Sequence, residues 1–295
     1  MAAALNRWRN ALILMRIPFS IFLMPVYWFA LSNTIQPNFM KSIAVFIILH
    51  LFAYPASNGY NSWYDRDTGS IGGLKSPPTV NIKLFWLVLL FDVLAIVLSL
   101  LLVSITFALM VFVYLFISKA YSYDKIRLKK FPWLGALVVT VFQGAFIYLA
   151  VKSGVTEQIL SIDLYYALVG TLFLAGSYPL TQIYQHEEDK KRGDNTLSIE
   201  LGINGTFTFA TVFIAAGSVL LLVLYFFEER YISMIIFPIA TLPVLIYFNK
   251  WKKKVWENAA EANFDNTMKM NKISSLSLSA AFILIFLLMN IKLFF

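Results

Sequence analysis

Nine apolar stretches, each about as long as a membrane-spanning helix, constrain the fold of this chain more than any other feature. A helix needs about 20 residues to cross the hydrocarbon core of a bilayer. The apolar residues run continuously instead of alternating, which favours helices over the strands of a membrane barrel. We therefore predict an all-α, polytopic membrane protein with nine transmembrane helices around a central cavity. The predicted helices cover residues 12–32, 42–60, 83–103, 105–122, 133–152, 164–185, 207–227, 231–249 and 274–293.

Positive charges lie mainly on one side of these predicted helices. When the loops are numbered from a cytoplasmic N-terminus, 20 of the 24 Lys and Arg residues fall in the cytoplasm. Loops rich in Lys and Arg stay in the cytoplasm. We therefore predict a multi-pass protein of the bacterial inner membrane, with its N-terminus in the cytoplasm and its C-terminus on the opposite side. Orientation in the membrane accounts for the net charge of +8, and no nucleic acid is expected as a partner. The absence of cysteine excludes disulfides and cysteine metal sites.

Charged clusters recur at one spacing along the chain. Asp65 and Asp189 lie 124 residues apart, and so do the basic runs that begin at Arg127 and Trp251. An even number of predicted helices separates the two members of each pair, so all four clusters should face the same compartment. Two carboxylate clusters can therefore flank a single cavity.

This spacing also predicts the domain organisation. We expect one membrane-embedded domain over residues 1–295, with an internal duplication of four-helix units. The units would cover about 10–131 and 132–255, and a ninth helix would follow them.

The first acidic cluster lies at the end of the second predicted helix. Asn58, Asn61 and Asp65 fall at positions i, i+3 and i+7, so they share one helix face. Asp67 follows immediately. Amide and carboxylate oxygens are ligands that suit Mg²⁺, and acids at a membrane boundary mark a site by default. The alternative interpretation is a polar helix end capped by its own acids.

The second acidic cluster follows the sixth predicted helix. Gln182, Gln185 and Asp189 repeat the i, i+3, i+7 spacing, and Glu188 lies near the same face. His186 can act either as a base or as a cap of the helix end. The presence of two such clusters predicts that they bind Mg²⁺ jointly and that this Mg²⁺ holds a phosphorylated ligand.

Cationic side chains near these acids are candidates for binding phosphate. Arg127 and Lys129 alternate along the loop after the fourth predicted helix, and Tyr123 precedes them. Lys75 lies in a loop rich in Gly and Pro at 69–78, which can approach a ligand closely. Orientation in the membrane explains positive charge here, but it does not explain this alternation.

These segments resemble the motifs of the UbiA-type intramembrane prenyltransferases. That family carries a first motif written Asn-x-x-x-Asp-x-x-x-Asp with a basic-Pro segment downstream, a basic loop after the fourth helix, and a second acidic motif followed by Gly, Thr-Leu and Leu-Gly. The matching segments are 61–67, 75–78, 126–130, 187–202 and the Arg-Ile-Pro at 16–18. The resemblance covers essentially the whole chain.

Two positions depart from the family pattern. The third position of the first motif falls on Gly69, where Asp67 can substitute, and the first position of the second motif falls on Gln185. Both departures remove negative charge where metal would bind, which questions the usual pair of Mg²⁺ ions.

The resemblance implies that an allylic prenyl diphosphate ionises to a carbocation and alkylates an electron-rich acceptor, with Mg²⁺ as cofactor. The expected partners are the prenyl diphosphate, a lipophilic or aromatic acceptor, and membrane lipid. The implied metal ligands are Asn61, Asp65, Asp67, Gln185 and Asp189, of which Asp65, Asp189 and Asn61 are also the implied catalytic residues. The implied diphosphate-binding residues are Lys75, Arg127, Lys129 and Tyr123. Further candidates are Asn58, His186, Glu188 and Arg16.

Three alternatives remain open at this point. A cyclase would use the same site but capture the cation within its own chain. A transporter would use buried charges as an ion path, but such proteins carry broken helices at the midplane rather than acids grouped at one face. A non-catalytic membrane protein that binds lipid is the third.

Overall fold

The computed structural model describes residues 2–156 and 158–290, and this part of the chain is helical without any β-strand. Its α-helices are α1 (Ala2–Leu14), α2 (Met24–Ser32), α3 (Phe39–Ile47), α4 (Tyr54–Asp65), α5 (Ile82–Leu102), α6 (Ile105–Ser122), α7 (Pro132–Val141), α8 (Ile147–Val155), α9 (Ser161–Ser177), α10 (His186–Arg192), α11 (Leu197–Phe227), α12 (Tyr231–Glu257) and α13 (Phe264–Met289). The basic residue Lys292, which the sequence analysis counts on the far side, lies outside the described residues.

Several of these helices join into longer spans. A 3₁₀ segment at Ile17–Leu23 connects α1 to α2, and π-helical segments at Ile48–Ala53 and Phe142–Phe146 connect α3 to α4 and α7 to α8. Eight resulting helices of the described chain are long and apolar enough to cross a membrane. They are Leu5–Ser32, Phe39–Asp65, Ile82–Leu102, Ile105–Ser122, Pro132–Val155, Leu197–Phe227, Tyr231–Glu257 and Phe264–Met289.

The one difference from the nine predicted helices concerns the sixth. Residues 164–185 were expected to form one helix, but α9 covers Ser161–Ser177, which is only 17 residues long. Pro179 follows, and a proline cannot continue the hydrogen-bond ladder of a helix. The chain then makes a 3₁₀ turn at Pro179–Thr181 and starts α10 at His186. The all-helical membrane architecture is confirmed, and α9 is shorter than each of the eight helices that can cross a membrane.

Helix packing places the ends of α4, α6, α9 and α10 at one end of the bundle. α9 packs along α11, and α13 packs against both α12 and α2. An aromatic core that includes Phe29, Tyr148, Tyr166 and Phe282 fills the other half of the bundle. This packing leaves a space between α4, α6 and α9 near the end that carries both acidic clusters.

Candidate active site

A cavity of about 300 Å³ opens at the end of the bundle where the acidic clusters meet. One part of its wall is polar and contains side chains from both clusters. The rest is largely apolar, from the following residues: Phe19, Phe22, Leu23, Tyr114, Ile117, Val138, Val139, Phe142 and Leu174. Polar groups that converge beside an apolar wall are typical of a small-molecule site.

The first acidic cluster lines this cavity along one face of α4. Asn58, Asn61 and Asp65 all contribute to the wall, in keeping with the i, i+3, i+7 spacing. The Asn61 amide donates a hydrogen bond to Asp65 Oδ2 over 2.7 Å. The helix ends after Asp65 because Arg66 adopts a left-handed conformation, with φ of 49°. This turn brings Asp67 to the cavity wall as well.

The second acidic cluster reaches the same cavity by a different backbone path from the one expected. Gln182, Gln185 and Asp189 all line the cavity, although the helix that was expected to carry them is broken. Gln182 lies just after the 3₁₀ turn, and Asp189 lies in the first turn of α10. The Gln185 amide nitrogen donates to the Ser70 carbonyl over 3.2 Å, which leaves the amide oxygen available as a ligand.

Three cations surround Asp65, whose side chain is only 5% exposed. Lys129 Nζ lies 2.6 Å from Asp65 Oδ2. On the Oδ1 side, Arg192 Nη1 lies 3.2 Å away and Arg127 Nη2 lies 3.4 Å away. Buried charges need such partners, because transfer out of water costs several kcal/mol per ion. The acidic clusters and the basic loop therefore converge on one site.

A fourth acid, Asp194, binds two of these cations and was missed in the sequence. Its carboxylate lies 2.8 Å from Arg127 Nε and 3.2 Å from Lys129 Nζ. Burial alone would raise the pKa of Asp194, but hydrogen bonds from these two cations lower it below the ordinary value. A signal was present: Asp194 directly follows the run Lys190–Arg192 and Gly193, the motif already identified there.

Asp189 differs from the other acids because no described side chain donates a hydrogen bond to it or forms an ion pair with it. Burial raises the pKa of Asp189 to about 7; Asp194, Asp67 and Asp65 add to this effect, and Lys129 opposes it. Burial and the neighbouring Asp65 likewise raise the pKa of Asp67 to about 6. Closely spaced acids of this kind are stabilised by a cation that enters between them.

The donor chemistry of this site fits Mg²⁺. Asn61, Asp65, Asp67, Gln185 and Asp189 present only amide and carboxylate oxygens, which hard cations prefer. In the described chain no three acidic or histidine side chains form a ready-made metal cluster. Mg²⁺ does not require one, because it keeps several waters and takes one or two carboxylates together with substrate phosphates.

Lys75 and Tyr123 lie outside the cavity wall. Lys75 Nζ pairs with Asp265 at 2.7 Å, and both side chains are about two-thirds exposed, at 67% and 70%. The Tyr123 ring lies edge-on to Tyr64, with ring centroids 5.5 Å apart. Neither contact directs the side chain of Lys75 or Tyr123 towards the acidic residues of the cavity.

His186 and Glu188 also lie off the wall, and both have other partners. His186 Nε2 lies 2.8 Å from Ser198 Oγ, across the turn between α10 and α11. Glu188 Oε1 accepts hydrogen bonds from the backbone N–H groups of Thr68 and Gly69, over 2.8 and 3.1 Å. The first contact joins two helices, and the second joins the two acidic clusters.

Arg16 lines the cavity from the middle of the first span, where α1 gives way to the 3₁₀ segment. It is 8% exposed, and its guanidinium donates to the carbonyl oxygens of Asn58 over 3.0 Å and Gly72 over 3.4 Å. These bonds connect α1 to α4 and to the loop that follows α4.

A second cavity of about 230 Å³ adjoins the first and is more uniformly apolar. Both cavities share the side chains of Phe22, Leu174, Ser177 and Asn271. The second cavity extends between α2, α9, α11, α12 and α13, and no charged side chain of the described residues lines it. An apolar chain can therefore extend from the polar site into the bundle.

Comparison with known proteins identifies the fold. The model of the UbiA prenyltransferase family matches residues 21–273. A UbiA homologue from Archaeoglobus fulgidus bound to DMAPP and Mg²⁺ is similar in structure, with a TM-score of 0.68 at 16% identity over 94% of this chain and 99% of that one. The apo structure of a UbiA homologue from Aeropyrum pernix K1 gives a TM-score of 0.66 at 18% identity, over 91% and 98% of the two chains.

A third solved structure is also similar in fold. A digeranylgeranylglyceryl phosphate synthase gives a TM-score of 0.58 at 19% identity, over 94% of this chain and 99% of that one. No curated protein sequence matches the chain. At these identities, the structures establish the fold, and the family model establishes the relationship.

Proposed function

Because this chain belongs to the UbiA prenyltransferase family, we propose that it transfers an isoprenyl group from an allylic prenyl diphosphate to an electron-rich acceptor, aromatic or lipophilic, within the membrane. The observation that carries this proposal is the junction of two environments in one space. Both acidic clusters and Lys129 line the same cavity, and that cavity adjoins an apolar one. A charged diphosphate and an isoprenyl chain need these two environments side by side.

The diphosphate would bind at the polar end. Asn61, Asp65, Asp67, Gln185 and Asp189 would hold Mg²⁺, which neutralises the diphosphate and makes it a better leaving group. The homologue from Archaeoglobus fulgidus, bound to DMAPP and Mg²⁺, supports this pairing of ligands.

Cations of the chain would neutralise the remaining charge. Lys129 and Arg127 come from the loop after α6, and Arg192 comes from the last turn of α10. Lys129 lines the cavity, whereas Arg127 and Arg192 lie behind the wall against Asp65. Preorganised charges of this kind would favour C–O ionisation by stabilising the negative charge that develops on the diphosphate. Lys75 and Tyr123 were also assigned to the diphosphate, but their present partners give this assignment no support.

The isoprenyl chain would occupy the apolar part of the cavities. Tyr114, Phe142 and Phe22 line the first cavity, where their ring faces can stabilise a carbocation. The apolar lining also keeps water away from the cation, so the acceptor captures it instead. The reaction would form a bond from the prenyl carbon to a nucleophilic atom of the acceptor, break the C–O bond to diphosphate, and release a proton from the acceptor.

The protein is an integral, multi-pass membrane protein. We extend the proposal to its orientation, with the N-terminus and the diphosphate end in the cytoplasm of a bacterial cell and the C-terminus opposite. The excess of Lys and Arg in the loops at this end supports that orientation. We also keep the duplication of units 10–131 and 132–255 as a proposal, supported by the meeting of Asp65 and Asp189 at one cavity.

The test uses the full chain, purified in detergent or nanodiscs. Radiolabelled prenyl diphosphates of increasing length are incubated with Mg²⁺ or EDTA, with and without aromatic and lipid acceptors. Acceptor-dependent, EDTA-sensitive release of diphosphate, together with a prenylated product, is expected. Release without acceptor, with a cyclic hydrocarbon as product, would replace transfer by cyclisation. Binding without any release would favour the lipid-binding alternative.

A further inference from the structure

The short helix α10 binds the turn after α4 at two places. Glu188 Oε1 accepts the backbone N–H groups of Thr68 and Gly69 over 2.8 and 3.1 Å. One helical turn later, Arg192 Nη2 donates to the Tyr64 carbonyl over 2.9 Å. Residues four apart lie on one helix face. Glu188 and Arg192 therefore bind the backbone of residues 64–69 from the same face of α10.

Asp67 lies between these two contacts. Arg192 Nη1 reaches the Asp67 carboxylate at 3.3 Å, and Asp67 lines the cavity. Glu188 then fixes the residues immediately after Asp67. The direction of the Asp67 side chain is therefore set by α10 as well as by the end of α4.

Gly69 makes room for the Glu188 carboxylate. A Cβ atom added at residue 69 would lie 2.4 Å from Glu188 Oε2 and 3.3 Å from its Cδ. Gly69 does not have a positive φ, so its backbone conformation does not require glycine. The absence of a side chain at residue 69 is thus explained by the space that Glu188 occupies. It is also the position where the family motif carries its third acid.

We propose that Glu188 is a positioning residue of the Mg²⁺ and diphosphate site: its carboxylate occupies the space left by Gly69 and fixes the turn that presents Asp67 to the cavity. This inference rests on the proposed function. Glu188 acts through hydrogen bonds to the backbone and does not line the cavity itself. The departure at residue 69 is then compensated by a side chain from the second acidic cluster.

Binding of Mg²⁺ with inorganic pyrophosphate, measured by calorimetry on the full chain in detergent, tests this role without relying on turnover. We expect Glu188→Ala to weaken the apparent Mg²⁺ affinity about tenfold or more, the usual effect of removing a group that orients a metal ligand. Glu188→Gln should bind almost as the parent does, because its amide oxygen can accept the same two N–H bonds. Glu187→Ala, an exposed change on the same helix, is the matched control.

Gly69→Ala tests the other side of the contact. The added methyl group displaces only the flexible end of Glu188, so the protein should stay folded while its Mg²⁺ affinity falls as in Glu188→Ala. The double variant should be no weaker than either single variant, because both changes remove one contact. Thermal unfolding confirms that each variant is folded.

The outcomes separate this inference from the proposed function. Parent-like Mg²⁺ affinity in Glu188→Ala, or losses that multiply in the double variant, would overturn the positioning role. Asp65→Asn serves as the reference. If Asp65→Asn loses binding while Glu188→Ala retains it, only the inference fails, but parent-like binding in Asp65→Asn removes the proposed site itself.

Discussion

Two ends of this helical bundle bury charged side chains, and they do so in different ways. At the cavity end, Asp65 is surrounded by cations, but Asp189 has no partner among the described side chains. At the opposite end, Lys152 Nζ lies 3.0 Å from Asp163 Oδ1 and donates to the Asn33 carbonyl over 2.7 Å. In this opposite cluster, formed by Lys152, Asp163 and their partners, every charge is paired. At the cavity end, Asp189 instead faces the cavity without a paired cation among the described residues.

The opposite cluster satisfies its acid completely. The Tyr148 hydroxyl donates to Asp163 over 3.1 Å, and the Leu160 N–H donates to its second oxygen over 2.9 Å. The side chains of Asp163 and Lys152 are 1% and 6% exposed. Charges paired in this way hold helices together, whereas an unpaired acid on a cavity wall indicates binding. Mutations can test this division between stability and function.

The largest expected effect on turnover comes from Asp189→Asn. The change keeps the shape of the side chain and removes a charge that neighbouring acids repel, so the unfolding temperature should not fall. Loss of a proposed Mg²⁺ ligand should lower prenyl transfer at least about 100-fold, the scale of a lost electrostatic contact in an active site. Prenyl transfer assays and thermal unfolding in detergent measure the two quantities.

Two further variants serve as a control and as a comparison for Asp189→Asn. Glu187→Gln removes the same charge from an exposed neighbour on α10 and should leave turnover intact. Asp65→Asn should also abolish turnover, with some loss of stability because three cations lose one of their acidic partners. Normal turnover in Asp189→Asn would remove this acid from the site.

Asp163→Asn should have the reverse effect. It leaves Lys152 buried without its counter-ion, and breaking a buried pair costs about 3–5 kcal/mol. The unfolding temperature should fall clearly, while turnover per folded molecule stays unchanged because the cavity is at the other end. If Asp163→Asn lost turnover but kept its thermal stability, the opposite cluster would have a catalytic role, and the division between a stabilising end and a functional end would be wrong.

The sequence predicted the parts of this site that depend on local periodicity. Asn58, Asn61 and Asp65 share a helix face, and their spacing is sufficient to show it. The meeting of both acidic clusters at one cavity also agrees with the counting of predicted helices. Charge and hydropathy patterns indicate which segments enter the membrane. The number and order of the helices could therefore largely be predicted from the sequence.

Contacts between distant segments were not accessible in the same way. Hydropathy alone did not place the end of α9 at Ser177, although Pro179 is a local signal that a helix ends there. The bonds from Glu188 to Thr68 and Gly69 join residues about 120 positions apart, and no periodic pattern encodes such a pair. Such contacts depend on how the helices pack, and therefore required the structure.

Lys75 gives the smallest expected effect and separates the two kinds of reasoning. The sequence assigns it to the diphosphate, whereas the structure pairs it with Asp265 on the exposed surface. Exposed ion pairs contribute about 0–1 kcal/mol, so Lys75→Ala should change the KM for prenyl diphosphate by less than about fivefold. Lys129→Ala is the matched change of a buried cation that contacts Asp65, and it should raise KM much further. Steady-state kinetics at saturating Mg²⁺ compare the two variants. If both raised KM equally, Lys75 would return to the diphosphate site, and the loop at 69–78 would have to move towards the cavity when substrate binds.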